Sequence, residues 1–396
     1  MTARLDISPQ ELGERLKLAR ETAGITQADA ASEIEVARTT LVAMEKGERR
    51  VRIQELQKLA SFYGTSVNAL LRQESVHVDL VPRFRRLSET SNPHVEEAVR
   101  LLNDLVTAEV ELENVLGIKH ETHYPDERFL SSGDVNTQAE QHANELRKFL
   151  GLGLAPIADI FTLIEVGLGI RLYQRRLSSS SKVSGLFAYD ASVGAAILLN
   201  ANHPWERRVQ SASHELGHFY GTRRAPEVLE VDERFISRDE RYANTFGRCF
   251  VTPREAVERK FKELTAGSDR LKRRHIILVA HYFGVSIEAM VRRLEELGLA
   301  RSGTWHWFER NGRITREDVV AAVGPAANRS DPGKEDADRP LSLRMGTMAY
   351  EAWKRELLSE GQLANLLKMG RIELRDWLYS IDQDEDEADE LLKLPH

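Results

Sequence analysis

His203-Pro204 … Ser213-His214-Glu215-Leu216-Gly217-His218, followed by Glu240-Arg241-Tyr242-Ala243-Asn244-Thr245-Phe246, are the stretches on which the reading of this chain turns. His214 and His218 are four residues apart, so on a helix both imidazoles leave the same face one turn from each other. That separation suits two ligands of a tetrahedral zinc ion. Glu215, next to the first histidine, is placed to take a proton from a water and pass it to a leaving amine. Composition alone predicts about 0.04 chance occurrences of H-E-x-x-H in a chain of this length, so the motif is informative.

Two histidines still need a third protein ligand. Glu240 and Asn244 are again one helical turn apart, which makes Glu240 the candidate ligand and Asn244 a hydrogen-bond partner for a ligating imidazole. Asp239 and Glu233 are the rival carboxylates. The competing reading of Glu240 is a solvated acid that complements the dipole at a helix start. Zinc is expected from the ligand types, and manganese or iron also suit two histidines and a carboxylate.

Upstream, Val183–Tyr189 and Ala195–Asn200 read as strands around the turn Asp190-Ala191-Ser192, after a strand near Ile170–Tyr173. Ala139–Leu150 and Pro156–Val166 read as helices. Helices return from Pro204 to about Leu299. A small sheet beside the histidine helix offers an edge to which an extended peptide can add as a strand. Cys249, between Phe246 and Phe250, reads as a buried core thiol. Arg207 and Arg208 read as solvated, with an anion-holding role as the alternative. Trp305, Trp307 and Phe308 read as a strand or an interdomain contact.

The N-terminal 72 residues carry a second chemical signal. Thr26 caps a helix beginning Gln27-Ala28-Asp29, the short Glu35-Val36 turn follows, and the next helix runs from about Arg38 to Lys46 before Gly47. Arg38, Thr39, Thr40 and Ala43 are exposed from the front half of that helix, as in a recognition helix entering a major groove. Thr26 and Gln27 suit a phosphate, and Lys46, Arg49, Arg50 and Arg52 add a basic edge. The competing reading is a helical module that now mediates protein contacts.

These N-terminal residues, over about 10–72, resemble the Xre/Cro-type helix-turn-helix family. The stretches around His214 and Glu240, with Val251-Thr252-Pro253 and Phe283-Gly284-Val285-Ser286, resemble the ImmA/IrrE metallopeptidase family over about 140–300. The second resemblance implies a zincin-like α+β domain with a small sheet, and a zinc-dependent endopeptidase that cuts or inactivates a protein, typically a cognate transcriptional repressor. Two departures bear on packing and substrate. Gln210-Ser211-Ala212-Ser213 is a polar lead-in to the first histidine, and Gly247, Arg248 and Cys249 stand where small and apolar residues are usual.

The expected architecture is mainly α and multidomain. Residues 1–75 form a five-helix DNA-binding domain, 76–138 a helical connector, 139–310 the metallopeptidase domain, 311–340 a linker, and 341–396 a helical C-terminal domain with an acidic tail from Asp382. The stretch 351–375 again looks like a helix-turn-helix, for which a structural or regulatory role is expected. The 396 residues carry a net charge of −7, so DNA would meet a local basic patch and not the whole chain. A single cysteine excludes an intramolecular disulfide and fits a reducing cytoplasm. No apolar run suits a bilayer and the start lacks a secretory signal, so no membrane partner is expected. DNA and a protein substrate are the expected partners, and a homodimer is compatible with both. Two other function classes remain open: a transcription regulator using the peptidase fold as a non-proteolytic sensor, and a member of a toxin–antitoxin or stress-response module.

Overall fold

Alternation of apolar and polar residues at helical spacing dominates the chain, and helices dominate the structure. A computed structural model describes residues 8–65, 67–71, 93–223, 227–230, 237–324 and 341–386. They divide into two units: the N-terminal helices with Glu109–Lys119 and Glu351–Ser359, and the remainder.

In the first unit, α1 (Pro9–Thr22), α2 (Gln27–Glu33), α3 (Arg38–Glu45), α4 (Ile53–Phe62) and α5 (Val67–Leu71) follow in order. Ser8 and Thr26 cap α1 and α2 by accepting from the Glu11 and Asp29 amides, as their short hydroxyl side chains favour. Leu16, Ala30, Leu41, Met44 and Leu59 close a common core. Beneath α3, Arg20 and Glu45 form a buried ion pair at 2.6 Å.

The helix α6 (Pro93–Leu116) precedes the second unit's main domain. There α7 (Val135–Phe149), capped by Asp134, packs on the helices of the site. A four-stranded sheet has the order β1-β3-β2-β4, with β1 (Arg171–Arg175), β2 (Val183–Asp190), β3 (Gly194–Asn200) and β4 (Glu227–Glu230). β1 runs parallel to β3, while β2 is antiparallel to both neighbours, in register Leu186↔Leu198 and Leu186↔Val228. Val183–Ala188 and Ala195–Asn200 are buried along their whole length, so these central strands read as continuous apolar runs.

The helices α8 (Trp205–Gly221) and α9 (Arg238–Val251) lie against each other, and α8 also lies against β2. A satellite core follows from α10 (Arg254–Thr265), α11 (Arg273–Phe283), α12 (Ile287–Glu296) and α13 (Thr304–Arg310). The remaining helices are α14 (Arg316–Val323), α15 (Leu343–Lys354), α16 (Glu360–Leu367) and α17 (Arg371–Asp386). The Glu165 carboxylate accepts from the first amides of α15, Leu343 at 3.2 Å and Arg344 at 2.7 Å.

Several expectations change. The helix read over Pro156–Val166 begins only at Ile160, where Asp159 caps it, and passes after three residues into a π-helical turn, Leu163–Gly167. Trp305, Trp307 and Phe308 form a helix, not a strand, with Phe308 buried in the satellite core. The expected linker 311–340 opens with α14, held by a Thr315/Asp318 capping box and packed on α11. The acidic tail starts inside a helix, since α17 runs on to Asp386; residues 387–396 lie outside the described ones. β4 was not expected, because Glu-Val-Leu-Glu is too short for a strand pattern to register.

Candidate metal centre

Helix α8 holds His214, Glu215 and His218 almost fully buried, 2%, 0% and 0% exposed. The site depends on how closely α9 approaches. A Cβ at Gly217 would lie 2.9 Å from the Ala243 Cα, and one at Gly247 would lie 2.9 Å from the His214 amide nitrogen. Only glycine at the two positions lets the backbones meet at this distance. Ser237 caps α9 through the Glu240 amide at 3.1 Å, fixing where Glu240 starts.

Three donor atoms then converge. His214 Nε2 and His218 Nε2 are 3.0 Å apart, with Glu240 Oε2 3.4 Å from the first and Oε1 3.2 Å from the second. Zinc with bonds of about 2.0–2.2 Å sets tetrahedral ligand atoms about 3.3–3.6 Å apart, so the cluster is within a few tenths of an ångström of that shape.

The other ring nitrogens settle what the cluster presents. His214 Nδ1 lies 3.1 Å from Asn244 Oδ1, and His218 Nδ1 lies 3.0 Å from Thr222 Oγ1. The Thr222 hydroxyl donates to the His218 carbonyl at 3.4 Å, so toward the ring it accepts. Both Nδ1 atoms therefore carry hydrogen, and in the neutral rings both Nε2 lone pairs point at one another and at a carboxylate. Such an arrangement is repulsive until a cation, or protons, enters. Burial raises the Glu240 carboxyl, but once protons occupy the facing Nε2 atoms, hydrogen bonds and charge from the two imidazoles hold it well below the carboxylate range. Burial pushes His218 down, with His214 adding to the effect.

Glu215 is seated against β2. A Cβ on Gly185 would fall 2.5 Å from Glu215 Oε1, so the strand leaves a glycine-sized space for this carboxylate.

The fold brings His214, His218 and Glu240 together and puts Asn244 on His214. Asp239 is half-buried and outside the cluster, and Glu233 lies outside the described residues. Thr222 and Gly185 were missed in the sequence. Their signals were a hydroxyl four residues after a histidine and a glycine inside a strand. Arg208 is not solvated: it is 2% exposed, bonded to Gln174 Oε1 at 2.6 Å and stacked near Phe161 and Trp205. Arg207 is half-buried on Ser184 Oγ, and burial lowers its pKa. Cys249 is a fully buried thiol, pushed up to about 11 by burial.

In the N-terminal unit, Arg38 and Thr39 are exposed on α3, with Thr40 and Ala43 half-buried behind them. Gln27 is engaged within the unit, donating to Glu45 Oε2 at 2.9 Å and accepting from Arg38 at 3.3 Å. Arg49 grips Glu55 at 2.8 and 3.2 Å, whereas Arg50 is exposed. Arg49 is thus partly neutralised as a phosphate contact.

Residues 167–295 match the family model described as the IrrE N-terminal-like domain, Peptidase_M78, and residues 11–73 match one described as a helix-turn-helix domain. No curated protein matches the chain. Among solved structures, a crystal structure of ComR from Streptococcus suis is similar over 96% of both chains, at 10% identity and a TM-score of 0.16, too low to carry a conclusion. The chain thus carries an N-terminal helix-turn-helix domain and a central IrrE N-terminal-like domain of the Peptidase_M78 family, followed by a helical C-terminal region.

Proposed function

We propose that the chain is a DNA-binding regulatory protein whose central domain is a zinc-dependent endopeptidase acting on a protein, with a transcriptional repressor as the expected substrate. The observation that carries the reading is the convergence of His214 Nε2, His218 Nε2 and Glu240 within 3.0–3.4 Å, beside the buried carboxylate of Glu215. The donor set fits zinc in type and spacing.

In this reading His214, His218 and Glu240 hold the ion, and Asn244 and Thr222 fix both rings with Nε2 inward. Zinc bound there would supply Lewis acidity, polarising a carbonyl and bringing the pKa of a water toward about 7. Glu215 takes the proton from the attacking water and delivers it to the leaving amine nitrogen. Its seat against Gly185 keeps that carboxylate in one place through both transfers. Residues 1–75 bring the enzyme to DNA through Thr26, Gln27, Arg38, Thr39, Thr40, Ala43 and Arg50, with Arg49 reaching phosphate beside Glu55. No helix among the described residues is long and apolar enough to cross a membrane, and the proposed location is the cytoplasm.

The test is metal analysis of the full chain with His214→Ala, Glu240→Ala and Glu215→Gln, alongside hydrolysis of a repressor encoded nearby. Zinc retained by Glu215→Gln with hydrolysis lost supports the reading. Unchanged zinc in Glu240→Ala moves the third ligand to Asp239 or Glu233. If Glu215→Gln keeps both zinc and the full transcriptional response, the domain is a sensor and not a peptidase.

A further inference from the structure

One cleft in the second unit borders the proposed metal centre at His214 and Asn244, and the rest of its lining has no part in the chemistry described so far. It encloses about 470 Å³, in the range of pockets that bury a ligand or a few side chains. His214 and Ser213 lie in its wall, so a chain lying along it passes the first of the proposed ligands. Val209 of α8, Val251 of α9, Val285 just ahead of α12 and Ala289 in its first turn give it an apolar lining.

The charged lining is unequal. Three arginines face the cleft, two from α9 (Arg241 and Arg248) and Arg292 from α12, against one acid, Glu206 of α8. Arg248 is paired with Glu296 at 2.9 Å, and Arg292 with Glu288 at 2.8 Å. Arg241 is exposed, and among the described residues no carboxylate pairs with it. It precedes Asn244, the partner of His214, by one turn of α9, so its charge is presented next to the proposed site of cleavage. Glu206 faces the cleft from the opposite helix. A segment with an acid on the α9 side is attracted by Arg241 and kept away from Glu206, whereas a basic segment meets the reverse.

We propose that this cleft is the substrate-recognition groove of the domain, and that it takes an extended polypeptide segment placing an apolar side chain on Val209, Val251, Val285 and Ala289 and an Asp or Glu against Arg241. The assignment rests on the peptidase reading above and adds the chemistry of the substrate to it. Arg241 is then the residue that sets charge preference, and the apolar lining sets the anchor.

The probe is a random linear peptide library selected on the full, zinc-loaded Glu215→Gln chain, which removes the proposed base and leaves the cleft intact. Enriched peptides carry Leu, Ile, Phe or Met beside Asp or Glu. Arg241→Glu weakens an enriched peptide by about tenfold and turns the selection toward Lys and Arg. Ala289→Trp, which fills the cleft from its wall, abolishes binding. Enrichment without acidic residues, the same peptides selected by Arg241→Glu, full binding by Ala289→Trp, or no enrichment at all overturns the inference. Peptides that bind with the expected signature but survive incubation with the Glu215 parent chain overturn the peptidase reading and leave the groove standing.

Discussion

Removing the two acceptors behind the histidines should weaken metal binding without touching a single ligand atom. Thr222→Val keeps the side-chain shape and deletes the oxygen 3.0 Å from His218 Nδ1. His218 is fully buried, so its Nδ1–H loses this acceptor where water is slow to substitute. The ring is then free to turn and to place its hydrogen on Nε2, the atom that faces His214 and Glu240. Outer partners of this kind are worth about 10–100-fold in metal affinity, or about 1.4–2.7 kcal/mol. Asn244→Ala deletes the acceptor 3.1 Å from His214 Nδ1, but Asn244 is exposed and water can replace it. Its loss should therefore sit near the lower end, about tenfold. Thr222→Ser keeps the oxygen and should bind as the parent does. The measurement is competition for zinc against a chromogenic chelator at fixed pH, with circular dichroism to show that the fold is retained. If Thr222→Val binds zinc as tightly as the parent while Glu240→Ala loses it, the two imidazoles are not oriented through Nδ1, and the argument from their lone pairs fails.

Three further outcomes follow from neighbouring contacts. Gly185→Ala should push the Glu215 carboxylate from its seat, costing about 1–3 kcal/mol of stability by overpacking and at least about 100-fold in hydrolysis, with zinc content unchanged; a fully active alanine variant would show that the seat is not needed. Arg147 is 2% exposed, donates to the carbonyls of Gly153, Ala155 and Phe250, and is lowered to about 10 by burial. Arg147→Leu should destabilise by about 3–5 kcal/mol in urea unfolding, because three carbonyls lose their donor, and a change below about 1 kcal/mol would contradict this. Glu140 is raised by burial but pulled lower overall by Arg254 and Arg293, both at 3.2 Å. A folded pKa below the unfolded one gives stability that is present above the unfolded value of 4.5 and is lost as pH falls through the folded value. The parent should therefore lose its advantage over Glu140→Gln below about pH 4.5, and parallel stability curves for the two proteins down to acid would refute the ion-pair account.

What the sequence discloses is what a helix repeats locally. His214 and His218 share a face because of a spacing of four, and Thr26 caps α2 because a short hydroxyl precedes a helical run; both are readable from a few residues. Glu240 was reachable by the same logic, as a turn partner of Asn244, but its rivals Asp239 and Glu233 could be weighed only against a fold. Gly185 was out of reach, since it lies 30 residues from the glutamate it accommodates and nothing local shows that β2 will lie against α8. Buried arginines mislead for a related reason. Arg147, Arg208 and Arg293 look like surface charges in a composition, yet each is buried where carbonyls, aromatic faces or acids from other elements collect around the guanidinium. No period in the sequence announces such a collection.

Gly247 makes the same point from the other side. In the sequence it is a departure from the expected pattern and puts packing in question. In the structure it is the reason the packing works, since any Cβ there would meet the amide of His214 at 2.9 Å. Moving α9 out to relieve that contact would carry Glu240 and Asn244 away together, because both ride on the same two turns of helix. The donor atoms have only tenths of an ångström to spare against tetrahedral spacing, so a small outward shift opens the cluster before it unfolds the domain. The geometry of the candidate metal centre therefore depends less on its ligands' identities than on glycines at a helix crossing, and a residue that looked like a flaw in the motif is one of the conditions for it.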